Sequence, residues 1–259
     1  MIFKINPEFK SSEDQIRSAF QNFDSTGTCF LKGDRNTIKN FEIGDGIKMN
    51  VKSFKIPNLV NRVAYRHFRK SKAKRSFEFA HRLLKKGIDT PTPIAFQENH
   101  NPIGLTNSYY ASIHQDHDFT FQKVIQKPEL TDAENILRQF SRFTYDMHEA
   151  GIEFKDHSPG NTLIKKIEKG RYKFFLVDLN RMKFHDDINI QLRMKTLSRL
   201  TKNKETLRVI TDEYARLANR DPEQLFDILW KCTQKFQNRF DRKQSLKNKL
   251  KPVLNRSYT

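Results

Sequence analysis

The 259-residue chain has two cysteines, Cys29 and Cys232. They are far apart and lack ligand-like spacing, so neither a disulfide framework nor a zinc site is expected. That usage fits a reducing compartment. No uninterrupted apolar run approaches the roughly 20 residues of a membrane-spanning helix. The opening MIFKINPEFK lacks the apolar centre of a signal peptide. Acidic residues are in short supply as well, with 30 Asp and Glu against 48 Lys and Arg, a formal net charge of +18. Internal repeats and low-complexity linkers are absent from the sequence. So are the aromatic stacking motifs and zinc modules that point to nucleic acid specifically.

What is present suffices for a globular core. Hydrophobic residues make up 36% of the chain, and its 22 Phe supply much of the bulk. A chain of this length can form one large domain or two lobes with a cleft. The positive charge favours polyanionic surroundings, such as nucleic acid, an anionic membrane surface or a heavily phosphorylated substrate. Plain solubility is the competing explanation.

Along the chain, FKINPEF reads as a short strand, and SSEDQIRSAFQNF as a helix with Ile16, Ala19, Phe20 and Phe23 at helical spacing. TCFL, TIKNFEI and IKMNVKSF read as three strands joined by tight turns, the first turn being Gly33-Asp34-Arg35-Asn36. In the third, Ile47, Met49 and Val51 alternate with Lys48, Asn50 and Lys52, giving a buried face and an amine-bearing face. Phe54 interrupts that alternation. A helical pattern from Asn61 to Lys86 stops at Gly87 in GIDTPTP, and IAF and SYYASI follow as strands. Thr131 is the expected cap of a helix carrying Ile136, Leu137, Phe140, Phe143 and Met147. A hairpin over Thr162–Val177 precedes helices that run to about Leu250, with a break near Asn219-Arg220-Asp221-Pro222.

The chemistry concentrates in IEFKDHSPGNTLIKKIEKGRYKFFLVDLNRM. With Lys169-Gly170 as the turn, Asn161 and Asp178 sit at equal distances from it, so they are expected to face one another across the hairpin. Asp156 precedes Asn161 by a loop whose Pro159-Gly160 turns the chain back. A magnesium ion on phosphates needs only one or two carboxylates and an amide from the protein, which suits Asn161 and Asp178. Phosphoryl transfer also needs a carboxylate to orient the acceptor hydroxyl and take its proton, which suits Asp156. An ordinary Asx-rich turn at Asp156–Asn161, and a helix cap at Asp178, are the structural alternatives.

The order D-x-x-x-x-N, hairpin, then aspartate after an apolar strand resembles the catalytic and metal-binding loops of the protein-kinase-like superfamily. DHSPGN looks closer to its small-molecule kinases than to protein kinases. VKSF, LLKKGIDTPTPIAF and LVDLNRM together resemble the lipopolysaccharide core kinases, the Kdo and heptose kinase family, over roughly Lys32 to Lys183. The resemblance implies that Asp156 is the catalytic base and that Asn161 and Asp178 engage magnesium. It also implies that Lys52 binds the phosphates of ATP, with Asn50 bordering the adenine. The Gly33–Asn36 turn stands where protein kinases have a glycine-rich loop, so phosphate contact there rests on Arg35. Two features depart from the pattern: Phe154-Lys155 replaces the usual basic residue and histidine, and the glutamate that would orient Lys52 is not clearly placed. Glu78 is the nearest acidic candidate, while an ungapped match puts Ser76 at that position.

The resulting expectation is an α+β, bilobal, protein-kinase-like single domain. An N-lobe over residues 1–113 carries a small antiparallel sheet, and a mostly helical C-lobe spans residues 114–259, with nucleotide in the cleft. The implied activity is ATP- and magnesium-dependent phosphorylation of a sugar hydroxyl of the lipopolysaccharide inner core, Kdo on lipid A. The acceptor would be an anionic lipid-linked sugar. The expected place is the cytoplasm, with the basic run Arg62 to Arg75 able to meet anionic headgroups peripherally at the inner membrane. A soluble small-molecule or protein kinase, and a catalytically silent basic membrane- or nucleic-acid-binding module, stand as alternatives.

Overall fold

The computed structural model describes residues 1–33, 36–58, 69–127, 130 and 132–255. The chain divides into two compact units. The first comprises Met1–His117 with Phe175–Arg181, and the second Asp118–Phe174 with Met182–Thr259.

The first unit is an antiparallel six-stranded sheet in the order β1-β5-β6-β4-β3-β2. Its strands are β1 (Ile2–Ile5), β2 (Thr28–Lys32), β3 (Asn36–Ile43), β4 (Ile47–Phe54), β5 (Pro93–Asn101) and β6 (Gly104–Ile113). The three expected strands are all present, with β4 central between β3 and β6. On one face α1 (Glu13–Gln21) buries Ile16, Ala19 and Phe20 against Met49, Val51, Tyr109 and Ala111. Ile47, expected on the same buried face, is exposed at the strand's start.

The opposite face explains Phe54. Residues 50, 52 and 54 share it, because side chains alternate along a strand. Helix α2 (Lys72–Lys85) covers it, packing Ala73 and Phe77 on Phe54 and Phe96. Phe54 therefore continues the alternation rather than breaking it, since both faces of the sheet are covered. The helix expected from Asn61 begins only at Lys72, capped by the Ser71 side chain, which accepts from the Lys74 backbone N–H at 3.0 Å. Residues 59–68 lie outside the described residues. Gly87, at φ +74°, ends the helix as expected, and the Ile88 N–H returns to the Leu83 carbonyl at 3.0 Å.

The segment after that stop has a second use. The Asp89 carbonyl accepts from the Leu176 N–H at 3.0 Å, and the Thr90 hydroxyl donates to the Leu176 carbonyl at 2.7 Å. Residues 175–181 are thereby tied into the first unit.

The second unit is mainly helical: α3 (Phe121–Gln126), α4 (Ala133–Glu149), α5 (Ile190–Leu197), α6 (Lys204–Ala218) and α7 (Pro222–Asn255). The α4 stripe is as expected for Ile136, Leu137, Phe140 and Met147, all buried, whereas Phe143 is partly exposed. Phe140 stacks on Phe121 with ring centroids 3.7 Å apart, at the centre of a cluster completed by α6 and α7. Thr131 lies outside the described residues, and Asp132, at φ +75°, precedes α4 without a side-chain capping bond. Two small sheets accompany the helices. β7 (Phe119–Thr120) pairs with β9 (Thr162–Glu168) of the hairpin that continues into β10 (Arg171–Leu176), and β8 (Ile152–Phe154) pairs with β11 (Met182–Phe184). The β8–β11 pair had no signal in the sequence, because strands of three residues are too short to show a period. Among the described residues no helix is long and apolar enough to cross a membrane.

Candidate active site

Lys52 sits on β4 opposite Ile38 of β3 and Tyr110 of β6, on the face covered by α2. Its side chain is only 16% exposed, so its ammonium requires a partner. That partner is Asp178: Lys52 Nζ donates to Asp178 Oδ1 at 2.8 Å. The same oxygen accepts from Asn180 Nδ2 at 2.6 Å. Asp178 adopts φ +58°, in the left-handed region that costs an ordinary residue about 1–2 kcal/mol and that Asp tolerates better than most. A short 3-10 turn, Leu179–Arg181, follows it. Arg75 on α2 donates to the Asn180 carbonyl at 2.8 Å and fixes that turn from the helix side. The unusual backbone at Asp178 is thus held by β4, α2 and the Asp89-Thr90 segment together.

Glu78 does not orient Lys52. It lies on α2, where its carboxylate accepts from Lys70 Nζ at 2.7 Å. Ser76, two residues earlier, is buried in the packing face of the helix. The expected lysine–glutamate pair is therefore replaced by a lysine–aspartate pair, because the α2 surface that carries Glu78 faces Lys70 rather than β4. Asn50 shares the Lys52 face, and its Oδ1 is 2.9 Å from His114 Nδ1. The His114 ring meets Phe30 of β2 edge-on, with centroids 5.6 Å apart. Arg35 lies outside the described residues. Beside it, the Gly33 N–H donates to the Asn36 carbonyl at 3.0 Å.

In the second unit Asp156 and Asn161 close one loop. Asn161 Nδ2 donates to the Asp156 carbonyl at 2.8 Å, and the Ser158 N–H reaches the same oxygen at 2.7 Å. The loop thus closes on the Asp156 backbone carbonyl rather than as an Asx turn, and the Asp156 carboxylate is left to a different task. Its Oδ1 accepts from Arg199 Nη1, which arrives from the end of α5, and Arg199 also lies 4.9 Å from the Phe236 ring. The loop is anchored by His157, which is fully buried and packed between Phe154 and Phe140, both at 5.4 Å between centroids. Burial pushes its pKa from 6.5 down to about 4, so the ring is neutral. Neither ring nitrogen finds a hydrogen-bond partner among the described residues. An aromatic-lined socket of this kind fixes the residue next to Asp156 without offering it a proton path.

Arg199 and His114 carried no signal in the sequence, and Arg75 stood out only as the end of a basic run. Each reaches its partner across tens of residues, and only a fold can bring such positions together.

A model of the Lipopolysaccharide kinase (Kdo/WaaP) family matches residues 55–228. No curated protein sequence matches the chain. Among solved structures, the chain is similar to WaaP in complex with acyl carrier protein at 16% identity. That match covers 92% of this chain and 99% of that one, with a TM-score of 0.61, a likeness of fold. The Rio2 kinase–ADP/Mg2+–phosphoaspartate complex from Chaetomium thermophilum follows at 13% identity, covering 86% and 75%, with a TM-score of 0.45. The MAP kinase LmaMPK10 from Leishmania major stands at 14%, covering 80% and 61%, with a TM-score of 0.45.

Proposed function

The chain belongs to the lipopolysaccharide kinase (Kdo/WaaP) family, and from that premise we propose that it transfers a phosphoryl group from ATP, with magnesium, to a hydroxyl of Kdo on lipid A. The observation that carries the chemical part is the Lys52–Asp178 pair at 2.8 Å. An ammonium and a carboxylate side by side, both partly exposed, are what a magnesium-bound nucleotide needs: one group for phosphate oxygens, one for the ion. The donor chemistry of the first unit fits such an ion, since Asp178 supplies a carboxylate oxygen, with phosphates and water for most remaining positions; the family resemblance adds the amide oxygen of Asn161. The ion, when bound, would neutralise charge on the transferring phosphoryl group.

The chain's own residues divide the remaining work. Lys52 draws the nucleotide phosphates to β4, and Asn50, steadied by His114, borders the base. Asp156 orients the acceptor hydroxyl and receives its proton. Arg199 sets the direction of that carboxylate. The acceptor side rests on charge: a chain of net charge +18 gains about 1 kcal/mol per Lys or Arg placed near an anionic lipid surface. This supports peripheral contact with a lipid-linked acceptor at an anionic surface. Mass spectrometry of Kdo-bearing lipid A after incubation with the protein and Mg-ATP tests the whole reading. One added phosphate is expected. Label from ATP found only on protein would remove the lipid acceptor.

A further inference from the structure

The first unit holds a pocket that none of these roles uses. It encloses about 350 Å3, within the range of small-ligand sites. Five cations line it: Lys55 just after β4, Arg69, Lys72 and Arg75 around the start of α2, and Arg181 beyond the Asp178 turn. No carboxylate stands among its described lining residues. The floor is buried, with Phe54 and Leu105 supplying apolar surface and Ser108 and the Asn180 amide supplying polar groups.

Three features make this more than a solvated basic face. The cations come from three separate stretches of chain and converge on one concavity, where a low-dielectric floor concentrates their field. Arg75 is fixed in place by bonds to the Asn180 and Ser71 carbonyls at 2.8 and 3.3 Å, so part of the cost of ordering a guanidinium is already met. The first turn of α2 carries no acidic residue and is instead Lys72, Ala73, Lys74 and Arg75, against the preference of a helix start for negative charge. An anion with several oxygens entering this concavity meets donors from all three stretches at once. Ile56, half exposed in the lining, leaves room for a ligand with an apolar or carbohydrate body beside its charge.

We propose that this pocket binds a phosphate group carried by the acceptor, distinct from the phosphate that is transferred. The proposal deepens the reading above and rests on it for the nature of the acceptor. Asn180 joins the two places, lining the pocket while donating to Asp178. Occupancy of the pocket is therefore felt at the residue assigned to the metal.

Calorimetric titration of the full chain with glucose 1-phosphate, inorganic phosphate and glucose tests it. Saturable binding of both phosphates, with glucose 1-phosphate the tighter, is expected, and none of glucose. If inorganic phosphate binds as tightly as glucose 1-phosphate, the pocket takes free phosphate and the sugar part of the proposal falls. Two double variants on exposed or rim positions, Lys55→Gln with Arg69→Gln and Lys72→Gln with Arg181→Gln, should each weaken phosphate binding by about tenfold or more. Lys52→Met should leave it unchanged, which separates the pocket from the nucleotide lysine. Thermal melting checks that each variant folds, and either pair suffices if the other does not. Unchanged phosphate affinity in a folded pair overturns the proposal. In turnover, both pairs should raise the acceptor KM at constant kcat. An unchanged acceptor KM in an active enzyme overturns the pocket and leaves the kinase reading standing. Loss of phosphate binding in the variants, with no transfer to lipid A by the parent, does the reverse.

Discussion

Lys52 Nζ and Asp178 Oδ1 stand 2.8 Å apart although 126 residues separate them in the chain. The pair is possible because residues 175–181, the end of β10 and the turn beyond it, bind to the segment that follows α2. Both side chains retain some exposure, 16% and 30%, so the pair is open to exchange for a ligand rather than sealed as a structural bridge.

Lys52→Met and Asp178→Asn should each lower the rate of phosphoryl transfer by on the order of a hundredfold or more, whereas Glu78→Gln should leave it nearly unchanged, because that carboxylate serves Lys70. Steady-state kinetics with Mg-ATP compares the three. A loss for Glu78→Gln as large as for Lys52→Met would mean that the pairing seen here is not the working one. Chelation of magnesium by EDTA should abolish transfer in the parent protein.

Asp156→Ala should reduce kcat by about 10²–10⁴ with little change in ATP affinity, as expected for loss of a proton acceptor. Arg199→Ala should cost less, about tenfold, since it acts only through the direction of the Asp156 carboxylate. Arg199→Lys should recover part of that loss, and the split between kcat and KM reads it out. An Arg199→Ala enzyme with parental kcat would remove the positioning role.

Acid should destabilise the fold first through its buried histidines. Burial holds His157 neutral by moving its pKa from 6.5 to about 4, and it lowers His148 in the same direction. Between those two values the unfolded chain binds a proton that the folded chain refuses. Stability is therefore full above about pH 6.5 and falls as pH drops toward 4, by about 3 kcal/mol from His157 alone. Glu213 adds a second, lower window: its arginine partners hold its pKa at about 2, so its contribution, present above pH 4.5, is lost as pH falls through 2. Urea midpoints measured from pH 8 to pH 4 should show the first decline, and His157→Phe should flatten it in part. An identical slope in the variant would rule out His157 as its source.

Gly151→Ala should destabilise by on the order of 3 kcal/mol. The residue has φ +75°, and a methyl group there would lie 2.1 Å from the His185 carbonyl oxygen, at the join of β8 and β11. Thermal or urea unfolding of this variant, compared with Gly46→Ala, separates contact from conformation. Gly46 has φ +82° with nothing near its added methyl, so it should cost less.

Much of the architecture is legible in short stretches of the chain. Local rules sufficed wherever they apply: the helical stripe of Ile136, Leu137, Phe140 and Met147, the stop at Gly87, the turn at Lys169-Gly170, and the alternation of Met49 and Val51 along β4. The same rules flagged Asp156, Asn161 and Asp178 as chemistry-bearing, because their spacing is meaningful within a few residues, while the family resemblance singled out Lys52 from the amine-bearing face of β4. What a period could not report was what covers a face. Phe54, a break by local alternation, is the floor under α2, and on the amine-bearing face of β4 Lys52 is largely covered while Lys48 stays exposed.

Tertiary structure alone decided the partners. Lys52 takes Asp178 and not Glu78, Asp156 takes Arg199, Asn50 takes His114, and five cations from distant stretches gather over one floor. The physical reason is that an ion pair is indifferent to separation along the chain. It depends on distance, burial and the absence of a nearer competitor, and those are fixed only when the sheet, α2 and the Asp178 turn have packed.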